Sequence, residues 1–208
     1  MKDVTQLLGA VSREVKSSER GGKPVKSIVV SRSYPTDIDD AWDALTSAER
    51  LARWFLPISG DLRLGGHYQF QGNAGGTITR CEPPHALHVT WEFGGGLSWV
   101  EVVLAAEGAG ARLTLTHVVP IDEHFDNFGP GAVGVGWDLG LIGLELHLGD
   151  RSNTTHAQGD EWAESEEGKR FSRLASEAWA RAAIAGGADP ALAREAAERT
   201  AAFYTGTA

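Results

Sequence analysis

Residues 27–54, SIVVSRSYPTDIDDAWDALTSAERLARW, change from a strand pattern to a helix pattern within a few positions. The first eight residues are rich in β-branched side chains and stop at Pro35, which predicts a β-strand. After a Thr-Asp pair suited to capping, Ile38, Trp42 and Leu45 follow the i, i+4, i+7 spacing of one helix face. A second short helix completes the stretch, which is therefore interpreted as a strand followed by two helices.

Toward the C-terminus, short runs of branched and aromatic residues alternate with glycine and proline turns. Consecutive runs at this spacing predict an antiparallel meander. Its strands are predicted over residues 61–64, 66–71, 76–82, 86–93, 98–107 and 111–120, and a long apolar helix over 131–148. This order predicts an α+β helix-grip fold. In that fold a curved antiparallel sheet wraps around a long C-terminal helix and leaves a cavity between them.

The long helix has apolar side chains on two nearly opposite stripes. One stripe is Val133, Trp137, Leu141, Leu144 and Leu148, and the other is Val135, Leu139, Ile142 and Leu146. The glycines between them, at 136, 140 and 143, are expected to allow the close approach of another backbone. Because the sheet covers one stripe only, the apolar face of Phe171–Ala182 is expected to cover the other, within one chain or across a homodimer.

Both ends of the chain lie outside the grip pattern. Residues 3–19 have helical spacing with Asp3 as a possible cap, and they run into Gly21-Gly22. A polar spacer over 149–159 precedes helices predicted at 160–185 and 190–204. The predicted segments are thus a leader helix within 1–26, a helix-grip domain at 27–149 and a helical C-terminal extension at 150–208 that adds a tail to the fold.

Composition limits the possible functions. The chain has 208 residues with 19 basic and 28 acidic side chains, a formal net charge of −9, which disfavours nucleic acid and anionic membranes as partners. Cys81, the single cysteine, excludes an internal disulfide and a cysteine-rich zinc site. No metal-binding spacing, Walker loop or dinucleotide fingerprint is present, so no metal and no cofactor are expected. Without a signal-peptide pattern, a cytoplasmic location is expected.

Several short motifs occur in an order that is specific for one fold. They are Tyr34-Pro35, Arg53-Trp54-Phe55, residues 61–70 (DLRLGGHYQF), Glu82-Pro83-Pro84, Val89-Thr90-Trp91 and Arg112–His117. Together they resemble the START-like, or Bet v 1-like (SRPBCC), superfamily, and within it the bacterial proteins related to the C-terminal domain of the activator of Hsp90 ATPase. The resemblance covers about residues 27–148 and implies the helix-grip fold, which hosts carriers, receptors and cyclases. The large Hsp90-binding domain of the eukaryotic co-chaperone has no counterpart in this sequence, so a co-chaperone role is not inferred.

Aromatic side chains supply the main apolar material of the matching region. Each of them fits ordinary core packing, but inward-facing positions of a grip fold also line the pocket between sheet and helix. The side chains expected to contact a ligand are Trp54, Tyr68, Phe70, Trp91, Trp99, Leu115, Trp137 and Leu141.

One acid/base pair is suggested by strand register. A three-residue loop over 108–110 would place Glu101 opposite His117, where a carboxylate would orient the imidazole for proton transfer. The same register would turn Val100, Val102 and Leu104 away from that face, and a slip of one residue would separate the pair. A structural salt bridge is the alternative role of these two residues.

Three functions remain open on this evidence. The first is a protein that binds a small apolar or aromatic molecule in the cavity, with a homodimer possible. The second is a cyclase or lyase that uses His117 and Glu101. The third is a chaperone-associated interaction module. The sequence names no ligand and no reaction.

Overall fold

The computed structural model of the chain describes residues 3–149 and 156–207, with side chains at all of these positions except 156 and 157. Its helices are α1 (Val4–Gly9), α2 (Ile38–Thr46), α3 (Ala48–Trp54), α4 (Glu123–Phe128), α5 (Gly131–Gly149), α6 (His156–Glu164), α7 (Glu166–Ala185) and α8 (Pro190–Thr205). Its strands are β1 (Ser12–Arg20), β2 (Lys23–Tyr34), β3 (Ile58–Gly60), β4 (His67–Phe70), β5 (Gly75–Glu82), β6 (Ala86–Phe93), β7 (Gly96–Glu107) and β8 (Gly110–Pro120).

The strands form one open antiparallel sheet in the order β1-β2-β8-β7-β6-β5-β4-β3. Strands β3 to β8 are a meander in which each strand pairs with the next along the chain. With the long helix α5, this arrangement confirms the predicted α+β helix-grip fold.

The chain forms two compact units. Unit 1 contains Met1–Val30, Val119–Leu139 and Asp160–Ala208, and unit 2 contains Ser31–Val118 and Gly140–Gly159. Strand β2 and helix α5 each contribute residues to both units. The boundaries of these units differ from those of the predicted segments 1–26, 27–149 and 150–208, because each unit combines stretches from distant parts of the chain. The division into three segments stays a prediction from the sequence.

The expected leader helix over residues 3–19 is wrong beyond its first two turns. Helix α1, capped by the Asp3 carboxylate, ends at Gly9, and residues 12–20 form strand β1. Gly21 and Gly22 have positive φ angles of 58° and 75°. A two-residue β-hairpin turn of type I′ requires a positive φ at both of its central residues. The glycine pair therefore joins β1 to β2 and does not end a helix.

Other differences from the predicted elements are local. Residues 61–64 belong to a turn after β3, in which a Cβ on Gly66 would lie 1.9 Å from the Asp61 carbonyl oxygen. The predicted helix over 160–185 is interrupted at Ser165, whose hydroxyl accepts a hydrogen bond from the Gly168 amide and caps α7. Within the predicted spacer over 149–159, residues 150–155 lie outside the described residues and α6 begins at His156.

Unit 1 is built around the first half of α5. Trp179 of α7 is fully buried and donates its indole N–H to Asp138 at 2.9 Å. From α8, the Thr200 hydroxyl donates to the Phe128 carbonyl at 2.7 Å, and the Tyr204 hydroxyl donates to the Ala132 carbonyl at 3.0 Å. Side chains of α7 and α8 therefore contact α5 and the residues immediately before it.

Candidate ligand-binding site

Strand register defines one face of the sheet in unit 2. In antiparallel strands, paired residues project to the same side, and so do residues two apart on one strand. Trp91 pairs with Ser98, and Val100 pairs with His117. These four side chains therefore share a face, called the inner face below, on which Val100 and His117 are each only 3% exposed.

Aromatic rings extend across the inner face from β6 to the end of α3. The ring of Phe70 lies 5.8 Å from that of Trp91, 5.4 Å from that of Tyr68 and 5.1 Å edge-on from that of Phe55. Trp54 continues the series at 5.5 Å from Phe55. Tilted and edge-to-face contacts at these distances are the favoured geometries of aromatic pairs.

Helix α3 and the second half of α5 hold these rings in place. The Trp54 indole N–H donates to the Ala44 carbonyl of α2 at 2.9 Å. A Cβ on Gly143 of α5 would lie 2.7 Å from the Trp54 carbonyl oxygen, so glycine permits the two helices to approach this closely. A Cβ on Gly140 would lie 3.8 Å from the Phe55 ring. The expected close approach of a backbone is thus observed at position 143.

His117 is the polar group in this apolar surrounding. Its Nε2 atom lies 2.9 Å from the Ser98 hydroxyl oxygen, and its ring is 5.9 Å from that of Trp91. The single Ser98 hydroxyl hydrogen is donated to the Trp91 carbonyl at 3.1 Å, so Ser98 accepts its second bond from the His117 N–H. Burial lowers the pKa of His117 to about 4, and the imidazole is neutral at physiological pH.

The folded protein is expected to lose stability on acidification because His117 is buried in its neutral form. The unfolded chain binds a proton at this residue below about pH 6.5, whereas the folded chain does so only near pH 4. The contribution is complete above pH 6.5 and is lost as the pH falls. Between pH 7.5 and 4.5, His117 should lower the free energy of unfolding by about 2 to 3 kcal/mol.

Urea denaturation of the wild type and of His117→Gln at the two pH values measures this contribution. The Gln variant retains an N–H donor for Ser98 but does not titrate, so its loss on acidification should be smaller by that amount. His67→Gln is the matched control, because His67 is exposed on the same sheet. Equal pH dependence in all three proteins would contradict the role of His117.

Among the described residues no group of three or more His, Cys, Asp or Glu side chains could hold a metal ion. Within the same residues, no helix has the length and apolar character needed to span a membrane.

Unit 1 has a concave surface of its own. A groove of about 620 Å³ lies between α7 and α8, with apolar side chains such as Ile184 and Ala197 beside charged ones such as Arg173 and Glu177. It contains none of the residues expected from the sequence to bind a ligand.

The family model for "Activator of Hsp90 ATPase homolog 1-like protein" matches residues 35–149, more than half of the chain. The chain belongs to this family. The match covers strands β3 to β8 and helices α2 to α5, and so includes every residue described above on the inner face.

Solved structures extend the comparison beyond this family core. The crystal structure of CalU16 from Micromonospora echinospora is 34% identical, with a TM-score of 0.70, over 84% of this chain and 99% of that one. PFC0360w, an HSP90 activator from Plasmodium falciparum, is 25% identical with a TM-score of 0.52, over 59% of this chain and 96% of that one. DynU16, a protein from the dynemicin biosynthetic locus, is 21% identical with a TM-score of 0.55, over 62% and 49% of the two chains. No curated protein matches the sequence.

In this family member, Glu101 does not meet His117. The hairpin between β7 and β8 has a two-residue loop, Gly108-Ala109, with Glu107 paired to Gly110. Glu101 consequently pairs with Thr116 and with His88, on the opposite or outer face of the sheet. The expected register was wrong by one residue, and the catalytic hypothesis that required this pair is withdrawn.

The residues expected to bind a ligand fall into three groups. The inner face and its helices bring together Trp54, Tyr68, Phe70, Trp91 and Leu115, and Leu141 lies on the part of α5 that belongs to unit 2. Trp99 pairs with Thr90 and Val118, which places it on the outer face, contrary to the expected register. Trp137 belongs to unit 1. Because of its position on the outer face, Trp99 is not expected to contact a ligand on the inner face, whereas ligand contact by the other side chains of the set stays a prediction.

The sequence interpretation missed several side chains of the inner face. Leu51 and Ile78 complete the buried cluster with Tyr68 and Phe70. The sequence also did not point to Ser98. It lies two residues from Val100 on β7, and alternation along the strand places both side chains on the same face. The observed pairing of β7 with β8 follows when the loop between them has two residues, and hairpin loops of two residues are the commonest kind.

Proposed function

We propose that this protein binds a small apolar or aromatic molecule on the inner face of unit 2, against α3 and the second half of α5. The observation that carries the proposal is incomplete burial. Large apolar side chains packed against the buried cluster remain half-buried, namely Trp54, Phe55, Leu56, Ile58, Leu87, Val89 and Trp91. A closed core excludes water from such side chains, whereas a binding surface leaves them accessible until a ligand covers them.

The chemistry of the surface supports an aromatic ligand. The half-buried rings of Trp54, Phe55 and Trp91 offer faces and edges to a flat molecule, and His117 is neutral there. Among proteins of the same fold, DynU16 comes from the dynemicin biosynthetic locus, and biosynthetic loci encode proteins that handle small organic molecules. This association favours a small-molecule ligand without identifying it.

Titration with the neutral fluorescent probe N-phenyl-1-naphthylamine tests the proposal. We expect saturable binding of one probe per chain, and we expect Trp91→Val to weaken it about tenfold, because one ring contact is worth about 1 kcal/mol or slightly more. Trp99→Val is the matched control: Trp99 is a half-buried tryptophan of the neighbouring strand, but on the outer face. It should leave the affinity unchanged.

Two results would contradict this function. One is the absence of saturable binding to the folded wild type. The other is equal affinity in the wild type and Trp91→Val, which would place the probe elsewhere, for example in the groove between α7 and α8.

The cytoplasmic location expected from the sequence is part of this proposal as well. The homodimer that the sequence allowed is not needed to cover the second apolar stripe of α5, because Val135 and Ile142 are buried within one chain.

A further inference from the structure

Arg32 is a buried cation on the inner face of unit 2. Burial alternates along β2, with Arg32 and Tyr34 buried and Ser33 exposed between them, and Arg32 is only 4% exposed. Its Nη2 atom donates to the carboxylate of Glu145 on α5. Its guanidinium carbon lies 5.6 Å from the centre of the Tyr34 ring. One side of the guanidinium is therefore held by an ion pair and by an aromatic ring.

The other side of the guanidinium has an unmet hydrogen bond. Arg32 Nη1 is buried and has no hydrogen-bond partner among the residues that the structure describes. A buried donor without an acceptor destabilises the folded state, and a charged donor does so more strongly, so native structures almost always supply an acceptor. The missing acceptor is accordingly expected to come from outside the described chain.

Helix α5 links this position to the aromatic rings. The Tyr34 hydroxyl donates to the Leu141 carbonyl at 3.1 Å, and burial raises the pKa of Tyr34, which keeps the phenol a neutral donor. The adjacent residue, Gly140, faces the Phe55 ring, 3.8 Å from its ideal Cβ position. One turn of α5 thus contacts both the Tyr34 side and the Phe55 side of the inner face.

We propose that Arg32 Nη1 binds a neutral oxygen acceptor, of the carbonyl kind, on the small aromatic ligand of the inner face. This inference rests on the function proposed above. A neutral oxygen fits better than a carboxylate because Glu145 already balances the guanidinium charge, and a second buried anion would lack a counter-ion. The N–H donor at Arg32 Nη1 would select aromatic ketones and quinone-like molecules over hydrocarbons of equal shape.

A matched pair of probes tests the assignment. 1-Acetonaphthone carries a carbonyl oxygen, and 1-ethylnaphthalene has a similar shape without one, so the ratio of their dissociation constants measures selection for the oxygen. We expect Arg32→Lys to reduce the preference for the ketone about tenfold, because lysine keeps a cation beside Glu145 but loses the second nitrogen. Arg53→Lys, in the exposed Arg53–Glu49 ion pair of α3, should leave the ratio unchanged.

The outcomes separate this inference from the function on which it rests. If both probes bind the wild type and Arg32→Lys leaves their ratio unchanged, a water molecule satisfies Nη1 and the assignment is overturned, while ligand binding stands. If neither probe binds the wild type saturably, the proposed function and the assignment both fail. Should Arg32→Lys not fold, Arg32→Met/Glu145→Gln removes both charges together and is expected to lose the same preference.

Discussion

Replacing Asp138 by alanine is expected to lower the free energy of unfolding by about 3 to 5 kcal/mol, the range for breaking a buried ion pair. Asp138 is completely buried, and both of its carboxylate oxygens accept from Arg13 Nε, at 3.1 and 3.2 Å. Trp179 donates to the same carboxylate. The Arg13 side chain is only 7% exposed, so loss of Asp138 would leave a buried guanidinium without its counter-ion.

Urea denaturation followed by far-UV circular dichroism measures the effect. Asp126→Ala, which removes an exposed aspartate of α4 in the same unit, is the control and should change the free energy by less than about 1 kcal/mol. The double variant Arg13→Met/Asp138→Leu should be more stable than Asp138→Ala, because no unpaired charge remains. A loss in Asp138→Ala no larger than that in the control would refute this account of the pair.

Trp179→Ala is expected to cost about as much, 3 to 5 kcal/mol, for a different reason. The Trp179 side chain has no exposed surface, and its ring lies directly on the backbone of α5: a Cβ on Gly134 would be 2.3 Å from its Cε2 atom. Truncation to alanine would leave a cavity of nearly the whole indole, since rigid helices on both sides cannot close it completely.

Two further variants show why Trp179→Ala lowers the free energy of unfolding. Trp179→Phe keeps most of the ring but removes the N–H that bonds Asp138, so we expect it to lose clearly less than Trp179→Ala. Phe203→Ala removes an aromatic ring of α8 that is 62% exposed and should lose about 1 kcal/mol or less. If thermal denaturation ranks Phe203→Ala with Trp179→Ala, burial of Trp179 does not explain its contribution.

Local patterns were sufficient to predict most elements between residues 27 and 149. Helix α2 follows from capping and the spacing of Ile38, Trp42 and Leu45, and strands β5 to β8 follow from branched residues between glycine and proline turns. Strand β1 was missed although its strongest signal, the Gly21-Gly22 turn, is local too. Its one valine, Val15, also continues the helical spacing of Val4, Leu7, Leu8 and Val11, and most of the strand is exposed, so it lacks the alternation that identifies a half-buried strand.

The residue pairing predicted across the β7–β8 hairpin was wrong by one residue. A loop of two residues, with Gly108 at a φ of 60°, replaces the expected loop of three. Because side chains alternate between faces, a shift of one residue moves Glu101 and Trp99 to the outer face and leaves His117 beside Ser98. The candidate catalytic pair depended entirely on that one residue.

The sequence by itself determined the helix-grip fold, the family and the aromatic character of the inner face, because each depends on residue type and local spacing. Only the tertiary structure decided which charges are buried. Arg13 meets Asp138 across 125 positions of sequence, and Arg32 meets Glu145 across 113. A charged side chain can be buried only where a distant segment brings its counter-ion, and that encounter has no local signature in the sequence.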